Sequence, residues 1–305
     1  MKAMYLGEVV RRQRKALGVT QEMVCEGLCT TMTLSRFESG RQTPSRDCVV
    51  AILQRLGLQD DWYYAQLTRA EMRLMRLKQE ILAYCNQFEH SLGSNRQQAR
   101  IKALEKICEL EHYIKPDDRI NQQFILGQKT TVEVHSPQTQ LEMLMQAIRL
   151  TSPRFDLEEL RNCLYSADEV AIINKIAVRY ALCGQRRKAV EIYEQLMKLV
   201  QKQTLSHSCL TLIAYNYALY LTKEKQLEEA LEVSKLGRQA CIRQGNYSVL
   251  PEFLHIEAEC YYLMGKLDRS MESYRSAYYI YGATMNHRNQ EILKAAIKER
   301  FNLIL

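Results

Sequence analysis

The sequence predicts an all-α protein in two parts, and three observations carry that prediction. Only 12 glycines and 5 prolines occur in 305 residues. β-Branched runs are rare, while Leu, Glu, Gln, Lys, Arg, Met and Ala recur at helical spacing. A chain of this length has room for about two domains. With 47% hydrophobic and 25% charged residues it has the balance of a folded globular protein, which excludes disorder over most of its length.

The first 58 residues divide into short helices. In the first, Leu6, Val9, Val10 and Leu17 share one face, Arg11, Arg12 and Lys15 lie elsewhere, and Gly18 stops it. Thr20 is placed as the N-cap of a second helix of about two turns, QEMVCEGL, with Val24 and Leu28 inward. Thr30 or Thr31 then caps a third helix in the stretch MTLSRFESGRQTPS. There Leu34 and Phe37 at i and i+3 face the core, and Gly40 supplies the left-handed residue that ends it. Thr31, Met32, Thr33, Ser35 and Arg36 are left on or near the outer side. RQTPS turns the chain, and SRDCVVAILQRLGL forms a fourth helix with Val49, Ile52, Leu53 and Leu56 inward. Two short helices joined by a tight turn inside a compact helical set describe a helix-turn-helix unit. Residues 1–56 hold nine Lys and Arg against five Asp and Glu, a balance of +4 within a net charge of +7. That placement fits a polyanionic partner.

The stretch LGEVVRRQRKALGVTQEMVCEGLCTTMTLSRFESGRQTPS resembles the helix-turn-helix domain of the Xre and phage-repressor type, the lambda-repressor-like fold. The likeness rests on an R-x-x-x-G-x-T-Q entry and an S-R-x-E-x-G-[KR] exit. The turn between the two helices departs from the pattern: it is one residue shorter and carries Cys29 where glycine is common. The resemblance implies that the third helix enters the DNA major groove, with Thr31, Met32 and Arg36 reading bases. The chemistry agrees, because arginine pairs bidentately with guanine and Met or Thr methyls touch a thymine methyl. Gln21, Thr33, Arg41 and Thr43 are the expected phosphate contacts. The family counterpart of Glu38 pairs with an arginine of the first helix, here Arg14, which implies a structural ion pair. A single small unit of this type reads a short half-site, so a homodimer on a palindromic double-stranded operator is expected.

Residues 59–68 are expected as a linker and 69–305 as a second domain. DDWYYAQLTRAEMRLMRLKQEILAY starts with Asp60 as a cap and runs helical for many turns. Further helices are expected near 96–112, 117–131 and 138–151, with breaks at SLGSN, Pro116, Pro137 and Pro153. Beyond them Ala177, Tyr180, Gly184, Ala189 and Tyr193 fall at the spacing A-x2-Y-x3-G-x4-A-x3-Y. Ala258, Tyr261, Gly265, Ser270, Tyr274 and Ala277 repeat it, and Ala218, Leu221, Lys225 and Ala230 give a weaker copy. This looks like a tetratricopeptide repeat with a period near 40 residues, and stacked pairs of this kind form a right-handed solenoid with a concave binding face.

An Xre-type domain followed by degenerate helical repeats resembles the peptide-pheromone receptors of the Rgg and PlcR type. That likeness implies a homodimeric transcription factor controlled by a short signalling peptide. Placing the repeats puts Asn174, Arg179, Tyr215, Asn216, His255, Glu259 and Tyr262 on or beside inner-helix positions. Inner-face asparagines hold the peptide backbone in that family, which makes Asn174 and Asn216 the first choices.

Ten cysteines without a C-x-x-C pair or clustered histidines indicate free thiols in a reducing compartment; Cys25 and Cys29, four apart, are the pair to examine. No phosphate-binding glycine loop, metal-ligand spacing or nucleophile motif occurs, so no catalytic residue, cofactor or metal is expected. No apolar run reaches the roughly 18 residues that span a bilayer, and the start carries no signal-peptide core, so a cytoplasmic protein without a membrane partner is expected. A protein-docking scaffold and a thiol or small-molecule sensor are the alternative roles for the repeats.

Overall fold

The computed structural model describes residues 6–58, 69–91, 93–202 and 207–302. The expected linker and Asp60 lie outside them. Every regular element among the described residues is helical. They form two compact units, one running to Ala189 and the other built from Val190–Val200 and the helices from His207 onward.

The first unit begins with α1 (Leu6–Ala16), α2 (Gln21–Cys25), α3 (Thr31–Glu38) and α4 (Arg46–Arg55). Each of α2, α3 and α4 is opened by a hydroxyl cap. Thr20 accepts from Met23 N–H, Thr30 from Thr33 N–H and Ser45 from Cys48 N–H, satisfying donors that a helix start leaves unpaired. Gly18 and Gly40 close α1 and α3 at φ +68° and +72°. Val10, Val24, Leu34, Phe37, Val49, Ile52, Leu53 and Leu56 make one core.

Two local expectations fail for the same reason. Leu17 is 49% exposed, because α1 ends at Ala16 and helical periodicity does not extend into the turn; Val19, past the turn, packs on the core instead. The second helix stops at Cys25, not Leu28, because Gly27 turns left-handed at φ +68°.

Four more helices and a loop complete the first unit up to α9. Helix α5 (Arg69–His90) packs on α6 (Gly93–Tyr113), and α7 (Arg119–Val132) on α8 (Pro137–Thr151). Their core includes Leu77, Ile81, Ala103, Ile107, Leu110 and Phe124. Pro137, expected as a break, is the first residue of α8 behind the Ser136 cap, where a missing N–H costs nothing. A loop with buried Phe155, Leu157, Leu160 and Tyr165 leads to α9 (Ala167–Leu182). A capping box opens α9, with Ser166 accepting from the Glu169 N–H and the Glu169 carboxylate accepting from Ser166 N–H.

Helix α10 (Arg186–Lys202) runs into the second unit, which continues as α11 (His207–Lys223), α12 (Leu227–Gln244), α13 (Leu250–Leu263), α14 (Leu267–Ala283) and α15 (His287–Phe301). The small residues Ala218, Ala230, Ala258 and Ala277 are wholly buried, which lets neighbouring helices approach. Tyr193 fills between them, stacked on Tyr217 and Tyr220 at centroid distances of 6.1 and 5.9 Å.

The repeat signal marks one recurring turn. Gly184, Lys225 and Gly265 all have positive φ, at 81°, 62° and 74°. In each turn the N–H of this residue and that of the next bond back to the helix end: Lys225 to Thr222 O and Gln226 to Leu221 O, for example. Gly245 at φ 67° and Met285 at φ 57° end α12 and α14 with the same Schellman-type stop, which the repeat pattern does not mark.

Candidate functional site

The helix expected to read DNA is held from behind. Arg14 of α1 meets Glu38 of α3 in a two-pronged pair, Nε to Oε1 at 2.6 Å and Nη2 to Oε2 at 2.8 Å, and its Nη1 donates to Val19 O at 3.2 Å. Gln21 donates its side-chain amide to Glu38 Oε2 at 2.8 Å. Burial opposes ionisation of Glu38, but the bonds from Arg14 and Gln21 and the charges of Arg14 and Arg11 outweigh it and hold its carboxyl below the ordinary range. The pair joins α1, the start of α2 and the end of α3.

Gly7 completes the contact between α1 and α3. A Cβ there would lie 1.9 Å from the carbonyl oxygen of Phe37, so the two backbones touch where any side chain would part them.

With Leu34, Phe37 and Glu38 turned inward, the outward face of α3 presents Thr31, Met32, Ser35 and Arg36, all exposed; Met32 is 62% exposed. Thr33 is half-buried and its hydroxyl bonds to Thr30 Oγ1 at 2.9 Å. Arg41 and Thr43 are exposed on the following turn, and Arg11 and Lys15 of α1 flank a cleft that also includes Gln21, Thr31 and Ser35. Removing the brace has a direct cost: Glu38→Ala lowers stability by about 2–3 kcal/mol, measured as a fall in Tm, because it leaves Arg14 without its charged partner.

Two arginines within the basic balance of the N-terminal segment face inward. Arg46 is 8% and Arg55 2% exposed. Arg55, at the end of α4, is fully engaged: Nη1 donates to Val24 O at 3.0 Å and Glu26 O at 2.8 Å, and Nη2 to Thr151 O at 3.1 Å and Glu169 Oε1 at 2.8 Å. Glu169, also buried, accepts from Thr151 Oγ1 at 2.7 Å, Ser152 Oγ at 2.8 Å and Ser166 N at 2.6 Å. Burial works against its charge, and Arg55 with these donors reverses the balance, so its carboxyl lies below the ordinary range. Around this centre Arg154 meets Glu26, Asn121 donates to Asp47 at 2.8 Å, and Gln54 accepts from Ala167 N at 3.0 Å. The helix-turn-helix is thereby seated on α7, α8 and α9. Sequence reasoning missed this seat; its one local trace was the S-x-x-E capping spacing of Ser166 and Glu169.

The residues expected to face a peptide fall on three helices. On α9, Asn174 is 6% exposed and Arg179 half-buried. On α11, Tyr215 and Asn216 are half-buried. Tyr215 packs its ring edge-on to Phe253, centroids 6.3 Å apart, and its hydroxyl is pushed up to about 12 by burial. Asn216 Nδ2 reaches Leu212 O at 3.3 Å.

On α13, His255, Glu259 and Tyr262 line one half-buried face, and α15 reaches onto it. Arg300 pairs with Glu259 and lies 4.7 Å from the Tyr262 ring centroid, Phe301 packs on Tyr262 and Tyr274, and the Tyr274 hydroxyl donates to Glu259. His255 Nε2 stands 3.4 Å from Glu259 Oε1. The Glu259 and Tyr262 side chains therefore have internal partners in this state. Burial raises the Glu259 pKa, yet His255, Arg300 and Tyr274 together bring it down to about 2. A depressed carboxyl stabilises the fold above its unfolded pKa, near 4.3. That contribution is lost as pH falls from about 5 towards 2, and Glu259→Gln should flatten this part of the pH–stability curve measured by chemical denaturation.

Among the described residues no helix is long and apolar enough to cross a membrane, and no group of three His, Cys, Asp or Glu is placed to hold a metal ion.

The sequence model of the RNPP family C-terminal domain matches residues 91–301, and a helix-turn-helix domain model matches residues 5–61. The chain belongs to the RNPP family. Several solved structures resemble this RNPP protein over most of its length. Bacillus thuringiensis PlcR in complex with the peptide PapR7 and DNA has a TM-score of 0.59 at 18% identity, over 94% of this chain and 98% of PlcR. Apo PlcR has a TM-score of 0.60 at 19% identity, over the same shares of the two chains. ComR from S. thermophilus, in complex with DNA and its signalling peptide ComS, has a TM-score of 0.54 at 17% identity, over 96% of this chain and 98% of ComR. At such identities the likeness is one of fold. Comparison with curated protein sequences gives no match.

Proposed function

We infer that this RNPP protein is a sequence-specific DNA-binding transcription regulator whose operator binding is set by a short signalling peptide held on its helical repeats. The observation that carries the reading is the outer face of α3: a helix locked from behind by Arg14 and Glu38 leaves Thr31, Met32 and Arg36 turned to solvent. The family membership and the DNA and peptide complexes of PlcR and ComR support it. In this reading Arg36 pairs with a guanine and Met32 and Thr31 meet thymine methyls, while Arg41, Thr43, Thr33 and Gln21 hold phosphates. Asn216 of the second unit pairs with the peptide backbone, and Tyr215 and His255 are further peptide contacts. The protein binds a palindrome as a homodimer, performs no catalysis, and works in the cytoplasm, where its DNA lies.

The test begins by selecting DNA from a random library with the full-length chain. Arg36→Ala should weaken the selected site by about 1–3 kcal/mol and relax the choice at one base position, with Tm unchanged. Normal affinity and sequence choice for that variant would remove α3 from the interface. Titration calorimetry with short peptides from conditioned medium tests the second half: binding should occur, and Asn216→Ala should weaken it.

A further inference from the structure

The cleft beside the reading helix draws its lining from two helices. On α1, Arg11 and Lys15 stand four residues apart, so they share one face, and both are exposed. On α3, Thr31, Ser35 and Ser39 repeat the same spacing, and the cleft encloses about 860 Å³. The Ser39 hydroxyl donates back to the carbonyls of Ser35 and Arg36, at 2.9 and 3.1 Å, while Thr31 and Ser35 are exposed to the cleft. Met32 and Arg36, offset by one position, form the neighbouring row on α3.

Three features suit the cleft to an anion. Arg11 and Lys15 have no hydrogen bond or ion pair among the described residues. Like charges at this spacing weaken a helix, and the dipole of α1 favours a cation only in the last turn, which accounts for Lys15 but not for Arg11. Charge in the cleft is also one-sided. Arg14 meets the Glu38 carboxylate with two bonds and cancels it, which leaves Glu22 as the one exposed carboxylate of the lining against two exposed cations. Finally, the walls are fixed in place. The Arg14–Glu38 pair and the Gly7 contact with Phe37 hold α1 against α3, so the cleft stands ready without rearrangement.

We propose that this cleft is a phosphodiester-binding site in which one strand of duplex DNA lies, its phosphates paired with Arg11 and Lys15 and accepting a hydrogen bond from Ser35. The site adds α1 to the interface, and it rests on the DNA-binding reading above. A helix about 10–12 Å across fills a major groove about 12 Å wide, so the strands that wall the groove run along the flanks of α3. The α1–α3 cleft is one such flank. Contacts made there hold the duplex without reading it, and the choice of sequence stays with the row of Met32 and Arg36.

The experiment measures binding of the full-length chain to the library-selected duplex and to a scrambled one by fluorescence anisotropy, over about 50 to 200 mM salt. Arg11→Gln and Lys15→Gln should each lower the slope of log K against log salt by about 0.9, with Tm unchanged. Both duplexes should weaken alike, about fivefold to tenfold in about 0.1 M salt. Glu22→Gln has the opposite sign: it removes the exposed carboxylate and tightens both duplexes about twofold to fivefold. Arg12→Gln, which alters an exposed cation of α1 outside the cleft, leaves the slope as it was. Unchanged slopes for Arg11→Gln and Lys15→Gln overturn the site, and so does an Arg12→Gln loss as large as theirs, which assigns the effect to net charge. A loss confined to the selected duplex overturns it as well, because it makes these residues base readers. Wild type that binds neither duplex refutes the DNA-binding reading itself, an outcome distinct from the others.

Discussion

Replacing Arg55 by alanine is expected to cost about 3–5 kcal/mol, read from the midpoint of urea denaturation. The size follows from what is left behind. Glu169 keeps its three neutral donors but loses the Arg55 cation at its buried carboxylate, and three carbonyls, those of Val24, Glu26 and Thr151, lose a donor together. Joint replacement of Arg55 and Glu169 by apolar residues of similar volume should recover much of the loss, because an uncompensated buried charge costs more than an absent pair. A double-mutant cycle over Arg55→Ala and Glu169→Gln measures the coupling directly. An effect under about 1 kcal/mol for Arg55→Ala would show that water reaches the pair. Since Glu169 has a depressed pKa, the stabilisation holds above the unfolded carboxylate range and falls away as pH drops.

The second large effect is expected from one methyl group. Gly7→Ala places a Cβ 1.9 Å from Phe37 O and 3.2 Å from Glu38 Cα, all backbone atoms that no side-chain rotation can move aside. Helix α1 must lift off α3, which costs about 3 kcal/mol or more and stretches the Arg14–Glu38 pair. DNA binding should fall along with Tm, in contrast to Arg36→Ala, which alters binding alone. A Gly7→Ala protein with wild-type Tm would mean that α1 and α3 do not touch there in solution.

The contrast between what the sequence revealed and what it concealed follows the range of the interactions. Caps at Thr20 and Thr30, the stop at Gly18 and the inward pair Leu34 and Phe37 are decided within a few residues, and they were legible. Leu17 was misplaced because periodicity carries no information about where a helix stops. Arg55 entered the sequence reading only as one of nine basic residues because its partner Glu169 is 114 positions away, and composition cannot see a partner at that distance. The repeat turns show the intermediate case. Gly184 and Gly265 announce a left-handed residue, whereas Lys225 and Met285 adopt the same conformation against their own preference, at the bidding of the helices they join. At the α13 face the common placement of His255, Glu259 and Tyr262 was legible, but their engagement by Arg300 and Phe301 was not, since nothing local ties α15 to Glu259.

That last contact alters how the end of α15 behaves. A helix terminus ordinarily frays, its last carbonyls exchanging bonds with water at little cost. Here the final turn carries Arg300 and Phe301, so unwinding it opens the Glu259 pair, two ring contacts and the Tyr274 bond at one stroke. The amide hydrogens of α15 and of mid-α13 are therefore expected to exchange through one common opening event, measured by native-state hydrogen exchange. Helix α15 acts as a clasp on the last repeat layer, covering part of the face that His255, Glu259 and Tyr262 form.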